Sequence, residues 1–223
     1  MPETPTPHAY GEERPIDDRP VDGVFNVLMV GVGGQGIVLA SDILADAAVI
    51  AGLDAKKSEI HGMSQRGGSV FSHVRFASGP VHSPTIAQGE AHVIYALERM
   101  ELLRWAPWAR PDAAAVYLDH DILPWGVSEY PAGVDEEIAR IFGRVVHFET
   151  KALRQVVSPK VLNTVLLGAV SVFIPLQARH YVESMDRHCP AGTAQVNQAG
   201  FEVGRELARA QLSQRGAGEA TRP

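Results

Sequence analysis

The sequence predicts an α/β protein with a mixed, mostly parallel sheet, and three observations support this class. Strand-like and helix-like segments alternate through the middle of the chain. A strand, a glycine-rich turn and a helix follow one another over residues 24–51. The next two strands are joined by a connection too short for a parallel crossover. We therefore expect a Rossmann-like three-layer sandwich with an antiparallel hairpin element and a helical C-terminal third.

Composition is that of an ordinary globular protein. The chain has 223 residues, of which 45% are hydrophobic and 21% charged, enough for one sizeable core. Its net charge of −6 offers no electrostatic reason to bind nucleic acid or an acidic membrane surface. Cys189 is the single cysteine, so this chain alone can form no internal disulfide and cannot supply the roughly four thiolates of an iron–sulfur cluster.

Three regions are predicted along the chain. Residues 1–23 form a proline-rich acidic tail that cannot bury enough surface to order itself, residues 24–212 a single domain, and residues 213–223 a flexible C-terminal tail. The N-terminal region has no apolar leader, and we expect a cytoplasmic protein. The apolar stretch 161–175 is shorter than the roughly 20 residues of a membrane span, so it predicts a buried helix.

The first glycine-rich loop follows the apolar run of residues 24–30 and precedes a helix predicted over residues 36–51, where Gly52 is the stop signal. Glycines of the G-x-G-x-x-G pattern stand at Gly31, Gly33 and Gly36. Such a loop can place a phosphate at a helix N-terminus, and it can equally be a tight strand-to-helix turn. A dinucleotide site also needs an acidic residue about 20 positions further on, for which Glu59 and Asp54 are the candidates.

The second loop joins a strand over residues 56–60 to a strand over residues 69–76. Three of its residues carry chemistry: Arg66 can clamp a carboxylate or phosphate, Gln65 can orient a carbonyl, and His61 can exchange a proton near neutral pH. The alternative is a stiff turn in which Arg66 pairs with Glu59 and His61 is structural. Because residues 61–68 are too few for a parallel crossover, the second of these strands should be antiparallel, and the two loops should lie side by side.

The remaining elements follow from periodicity. Predicted strands cover residues 93–97, 114–118 and 144–148, with 81–86 as a further hairpin partner; predicted helices cover 99–108, 161–173 and 194–211. Ser158 and Pro159 mark a helix start, and the amide of Asn163 should bond to a neighbouring loop. Three histidines, His73, His82 and His92, lack the partners that a metal site requires, and no G-x-S-x-G elbow occurs.

Several segments resemble one known family. They are Asn-Val-Leu-Met-Val-Gly-Val-Gly-Gly-Gln-Gly at 26–36, Ser-Glu-Ile-His-Gly-Met-Ser-Gln-Arg-Gly-Gly-Ser-Val at 58–70, Ser-His-Val-Arg-Phe at 72–76, and later positions such as Asn163, Gly168 and Asn197. This combination, spread over residues 26–204, is similar to the gamma-type domain of 2-oxoacid:ferredoxin oxidoreductases. Within that family it most resembles the beta-subunit group that acts on indolepyruvate.

The resemblance implies a small subunit of an enzyme that oxidatively decarboxylates an arylpyruvate to an acyl-coenzyme A and passes electrons to ferredoxin. Thiamine diphosphate, Mg²⁺ and [4Fe-4S] clusters would belong to a large alpha subunit in an α2β2 heterotetramer, with coenzyme A as co-substrate and no cofactor or metal bound by this chain alone. The chain would cap the active site and the coenzyme A entry. His61, Gln65 and Arg66 would serve catalysis. Cofactor contacts would come from Gly31, Gly33, Gly34, Gln35, Gly36, Glu59, Gly67 and Gly68.

Two alternatives remain open from the sequence. The G-x-G-x-x-G pattern is compatible with a stand-alone NAD(P)-binding oxidoreductase domain of the Rossmann type. A purely structural subunit, needed only for assembly of the enzyme, is compatible with the same residues.

Overall fold

The computed structural model describes residues 23–61, 68–123 and 126–219, and of residues 61 and 215–219 it describes the backbone alone. Six strands of the described chain form one sheet: β1 (Phe25–Val32), β2 (Asp54–His61), β3 (Ser69–Ala77), β4 (Ala91–Ala96), β5 (Ala109–Leu118) and β6 (Arg144–Phe148). The helices are α1 (Ile37–Ile50), α2 (Arg99–Trp105), α3 (Val134–Ile141), α4 (Thr150–Val156), α5 (Leu162–Ser171), α6 (Ala178–His188) and α7 (Ala194–Glu219). Short 3₁₀ turns, Ala106–Trp108 and Pro159–Val161, extend α2 and precede α5.

The sheet has the strand order β2-β3-β1-β4-β5-β6. Strand β3 runs antiparallel to both of its neighbours, whereas β1, β4, β5 and β6 pair in parallel. The mixed, mostly parallel sheet and the reversed third strand predicted from the short connection are confirmed. Insertion of β3 separates β2 from β1, two strands that would be neighbours in a standard dinucleotide fold.

Helices cover both faces of the sheet and give the predicted three layers. Alternate residues of β1 point to opposite sides, so that Val27 and Met29 join the core under α1, α5, α6 and α7, while Leu28 and Val30 join the core under α2 and α3. Helix α1 begins and ends close to its predicted bounds because its buried residues recur at helical spacing. Past its end, Gly52 adopts φ 83° and closes the turn.

Helix α5 is buried on every side, as its apolar sequence predicts. Ser158 accepts a hydrogen bond from the Lys160 N–H at 3.4 Å and so begins the 3₁₀ turn that leads into the helix. Glycines let α5 and α7 touch backbone to backbone: a Cβ on Gly168 would lie 1.9 Å from the Phe201 carbonyl oxygen. This packing holds α5 rigidly behind the first glycine-rich loop.

The structure corrects several expectations. Residues 81–86 form no strand, because the Val81 and Ile86 N–H groups bond to the side chains of Asp54 and His73 instead of to a sheet partner. Three helices, α3, α4 and α6, were not predicted. Strand β5 begins at Ala109 rather than at residue 114, and α7 continues beyond residue 211 to Glu219. Helices α3 and α6 are amphipathic, with two buried residues in α3 and four in α6, and this spacing was a periodic signal that could have predicted them.

Candidate functional site

The first glycine-rich loop lies at the carboxyl end of β1, where the helices that follow β1 and β4 leave toward opposite faces of the sheet. In open α/β sheets this reversal point is where ligands bind. Gly34 and Gly36 have φ values of 95° and 83°, a region that L side chains rarely adopt. Gly36 is the N-cap of α1, and no side chain caps this helix. Its positive N-terminal end therefore stays available to a negative group.

The loop is fastened from behind by α5. The Asn163 side-chain Nδ2 donates a hydrogen bond to the Gly36 carbonyl at 3.2 Å, and the buried Tyr95 hydroxyl donates to the Asn163 carbonyl at 3.0 Å. The expected bond between Asn163 and a neighbouring loop is confirmed. A Cβ on Gly36 would come within 2.6 Å of Asn163 Nδ2, so a glycine is required here by contact as well as by φ.

Both the oxygen and the nitrogen of the Gln35 side-chain amide form hydrogen bonds within the protein. Its Oε1 accepts the Val32 N–H at 2.7 Å, and its Nε2 donates to the Leu97 carbonyl at 2.8 Å. The same Nε2 lies 3.3 Å from His120 Nδ1. A Cβ on Gly31 would stand 2.7 Å from Gln35 Oε1, which explains the first glycine of the motif. Gln35 thus links the carboxyl ends of three strands, β1, β4 and β5.

The first glycine-rich loop lies beside Gly68, the last residue of the second loop, as the predicted adjacency requires. The Gly33 N–H donates to the Gly68 carbonyl at 2.9 Å, and the β1–β3 register pairs Val32 with Ser69. Residues 62–67, with the predicted Gln65, Arg66 and Gly67, lie outside the described residues. Of His61 only the backbone, the last position of β2, is described.

Glu59 lies on the α1 side of β2 and pairs with Lys57, whose Nζ is 3.0 Å from Glu59 Oε2 and also bonds Asp42. Burial of Lys57 favours the neutral amine, but its hydrogen bonds to the two carboxylates outweigh this effect and raise the pKa of Lys57. Because neighbouring strands are about 4.8 Å apart, the inserted β3 places Glu59 about 10 Å from the line of β1. Glu59 is therefore poorly placed to hold a ribose bound at the first loop.

Polar residues that sequence reasoning missed gather at the same edge. Glu98, which is 2% exposed, accepts the Tyr130 O–H at 2.6 Å and the Glu101 N–H at 2.8 Å. Ser69 in turn donates to Glu101 at 2.5 Å. Burial raises the pKa of Glu98, although its hydrogen bond from Tyr130 opposes the shift. The start of α2 thereby ties the segment after the second loop to the irregular segment after β5.

An ion-pair network holds that irregular segment. Arg99 donates to both carboxylate oxygens of Asp121, at 2.6 and 2.8 Å, and to Asp135 at 2.6 Å, and its guanidinium lies over the Tyr130 ring. Glu98 and His120 each come two residues after the end of a buried parallel strand. Because the carboxyl ends of parallel strands meet at one edge of a sheet, this position was the signal that could have identified them.

Two residues of the Ser-His-Val-Arg-Phe motif have an anchoring role. His73 Nδ1 accepts the Ile86 N–H at 2.9 Å, and Arg75 donates to the Ser83 and Thr85 carbonyls at 3.0 and 2.9 Å. Both side chains thus hold the segment of residues 78–90 against the sheet. Over the described parts of the chain, no cluster of three His, Cys, Asp or Glu residues could hold a metal ion. No helix in those parts is long and apolar enough to cross a membrane.

Comparison with known proteins agrees with this geometry. The sequence matches the pyruvate ferredoxin/flavodoxin oxidoreductase family over residues 26–207. Indolepyruvate oxidoreductase subunit IorB of Pyrococcus horikoshii is 33% identical over 201 residues, which cover 85% of this chain and 98% of that protein. The subunit of the same name from Archaeoglobus fulgidus is 33% identical over 190 residues, with 81% and 93% covered.

Among solved structures, the gamma subunit of a keto/oxoacid ferredoxin oxidoreductase from Geobacter sulfurreducens superposes with a TM-score of 0.64. The two chains are 24% identical, and the match covers 85% of this chain and 98% of that one, which shows a shared fold. The family resemblance expected from the sequence is confirmed. Because the family match spans residues 26–207 and the relatives are covered almost end to end, the chain belongs to the pyruvate ferredoxin/flavodoxin oxidoreductase family, as an oxidoreductase subunit of the small type.

Proposed function

We propose that this chain is the small subunit of a thiamine-diphosphate-dependent arylpyruvate:ferredoxin oxidoreductase of the indolepyruvate type. The complete enzyme would oxidatively decarboxylate a 2-oxoacid to an acyl-coenzyme A and pass the electrons to ferredoxin. One observation carries the proposal: the first glycine-rich loop meets the last residue of the second at the carboxyl end of β1, where the Gly33 N–H donates to the Gly68 carbonyl. The 33% identity to two IorB subunits supports the arylpyruvate class of substrate.

The contribution of this chain would be to cap the active site and the coenzyme A entry where it meets a large alpha subunit, in an α2β2 assembly. The uncapped N-terminus of α1 offers backbone N–H groups and a positive dipole end to an anionic substrate or to the phosphates of the coenzyme. Gly34 and Gly36 allow close approach of that ligand. Gln35 acts by shaping the loop, because its amide is engaged by backbone groups.

In the second loop, Arg66 and Gln65 would meet the anionic groups of the substrate or of the coenzyme, and His61 would assist proton movement. Arg66 is suited to this role because a guanidinium can bind a carboxylate or phosphate through two parallel hydrogen bonds. The Gly33–Gly68 bond and the β1–β3 register support a location of this loop beside the first one.

The part of the chain that the structure describes does not fit a resident metal, and one cysteine is too few for an iron–sulfur cluster. Cys189 is its only cysteine, and the described residues bring no three metal-ligating side chains together. Thiamine diphosphate, Mg²⁺ and [4Fe-4S] clusters are therefore assigned to the large subunit as part of the proposal. When bound there, thiamine diphosphate would supply the carbanion chemistry of decarboxylation.

The first test is purification of the complex from its native source, followed by replacement of Arg66. We expect the chain to co-purify with a larger, cysteine-rich subunit and the complex to reduce ferredoxin in the presence of an arylpyruvate and coenzyme A. Arg66→Ala should lower turnover by about 10- to 100-fold or raise the KM for one substrate, since a charge-assisted bidentate contact is lost. Arg140→Ala is the matched control, because Arg140 is exposed on α3.

Kinetic constants of Arg66→Ala that equal those of the wild type for both the 2-oxoacid and coenzyme A would contradict the capping role. One observation favours a purely structural role instead: the amide of Gln35 is fully engaged within the protein. In that case, variants in both loops would assemble normally and retain full activity.

A further inference from the structure

Backbone groups fix the orientation of the Gln35 amide. Its Oε1 accepts the Val32 N–H at 2.7 Å and its Nε2 donates to the Leu97 carbonyl at 2.8 Å. Exchange of the oxygen and nitrogen positions would place a carbonyl against the Leu97 carbonyl and an NH₂ group against the Val32 N–H. Both contacts would be repulsive. The NH₂ group must therefore be the part of Gln35 that faces His120.

An amide NH₂ group only donates hydrogen bonds, so His120 Nδ1, 3.3 Å away, must accept and must carry no proton. The neutral ring with its proton on Nε2 satisfies this contact. A protonated ring would direct an N–H toward the hydrogens of the Gln35 amide, and the contact would be lost. Because Gln35 is held to two strands, the conflict can be relieved only by rotation of the His120 ring or by release of the loop.

The surroundings of His120 favour the neutral ring. Burial lowers the pKa of His120, and the positive charge of Arg154 on α4 acts in the same direction. Asp119 and Asp121 oppose the shift. Each of these carboxylates already has a partner: Asp119 accepts the Thr150 N–H at 2.5 Å, and Asp121 is bound through both oxygens by Arg99.

We propose that His120 is a positioning residue for the first glycine-rich loop: neutral His120 holds Gln35 and thereby the loop, and protonation of the ring releases this contact. The cap formed by the loop would then loosen at acidic pH. The effect on turnover rests on the proposed function above, whereas the contact between the two side chains does not.

The contact itself is tested by NMR on the full-length chain. The side-chain NH₂ resonances of Gln35 should shift between about pH 8 and about pH 5 with the midpoint of His120. His120→Asn keeps an acceptor near the position of Nδ1 but cannot titrate, so the shift should disappear in this variant. His147→Asn, a change at an exposed histidine of β6, should leave it intact. A Gln35 titration that persists unchanged in His120→Asn would overturn the proposal.

The consequence for the reaction is tested in the assembled complex. The ratio of turnover below the His120 midpoint found by NMR to turnover at about pH 7.5 should be about threefold or more higher in His120→Asn than in the wild type, because the acid-induced release of the loop is removed. Equal ratios would overturn the positioning role. A wild-type complex with no 2-oxoacid activity would count against the proposed function alone, and the NMR titration would still decide whether His120 controls Gln35.

Discussion

Gly36 shows how a single residue links the loop to the helices behind it. It combines a positive φ of 83°, a position at the start of α1 and a contact from Asn163 to its carbonyl. The sequence pattern identified Gly36 as part of a possible phosphate loop, yet it could not show that Asn163, 127 positions away, shapes the same turn. Residue type is visible in the sequence, whereas the partner is decided by the fold.

Gly36→Ala should destabilise the protein by about 2 kcal/mol or more, because an L side chain at positive φ costs about 1–2 kcal/mol and the new Cβ displaces the Asn163 amide. Gly89→Ala is the matched control, since Gly89 has φ 77° and open space around its Cβ position. Urea denaturation of both variants measures the difference. Equal losses would mean that the Asn163 contact contributes nothing and that φ alone explains the glycine.

At the scale of elements, the direction of the reversed strand β3 was predicted from the sequence, whereas three helices were missed. The short connection of residues 61–68 excludes a parallel crossover for any tertiary arrangement, so chain length alone predicted the direction of β3. Helices α3, α4 and α6 are short or mostly exposed, and their positions depend on the surfaces that they cover. The close approach of α5 to α7 likewise explains Gly168, a position that the sequence offered only as part of a resemblance.

Two histidines, His73 and His92, accept backbone hydrogen bonds through Nδ1, so their rings must be neutral. His73 Nδ1 accepts the Ile86 N–H, and His92 Nδ1 accepts the Asn26 N–H at 3.1 Å. Burial lowers the pKa of His73, with a smaller effect of the Arg75 charge, and burial likewise lowers the pKa of His92. The folded protein therefore resists protonation of both rings.

Stability should consequently depend on pH in the mildly acidic range. Below the ordinary histidine pKa of 6.5, the unfolded chain takes up protons that the folded chain does not. The contribution of these histidines to the free energy of unfolding is therefore complete above pH 6.5, and it is lost as the pH falls through their lower pKa values in the folded protein. The dependence of the free energy of unfolding on pH should be weaker in His73→Asn, which cannot titrate. His82→Asn, a change at an exposed histidine of the same segment, is the control. Urea titrations at several pH values measure this dependence; an equal dependence in all three proteins would contradict this role of His73.

At the scale of the whole molecule, strand order distinguishes this fold from the standard dinucleotide-binding fold. The first loop has the glycine spacing of a cofactor site, but β3 lies between β1 and β2 and Glu59 is paired with Lys57. An adenosine ribose placed at the loop would therefore lie about two strand spacings from Glu59, the acidic residue near the end of β2.

Isothermal titration calorimetry of the full chain with NADH and NADPH should therefore give no binding heat, and neither cofactor should raise the melting temperature. The physical reason is the displacement of both acidic candidates, Glu59 and Asp54 of β2, by about 10 Å, two strand spacings. Saturable heat with a rise of several degrees in melting temperature, abolished by Glu59→Ala, would favour the NAD(P) alternative.

The sequence by itself determined the α/β class, the direction of β3, the adjacency of the two loops and the family, because these depend on periodicity, connection length and contiguous motifs. Only the tertiary structure decided that Gln35 turns its amide inward, that Glu59 pairs with Lys57, and that His120 and Glu98 belong to the same edge. The contacts of Gln35 with Leu97 and His120 span 62 and 85 positions of the chain. No local pattern specifies such contacts, since they arise only when separate strands end at one edge of a sheet.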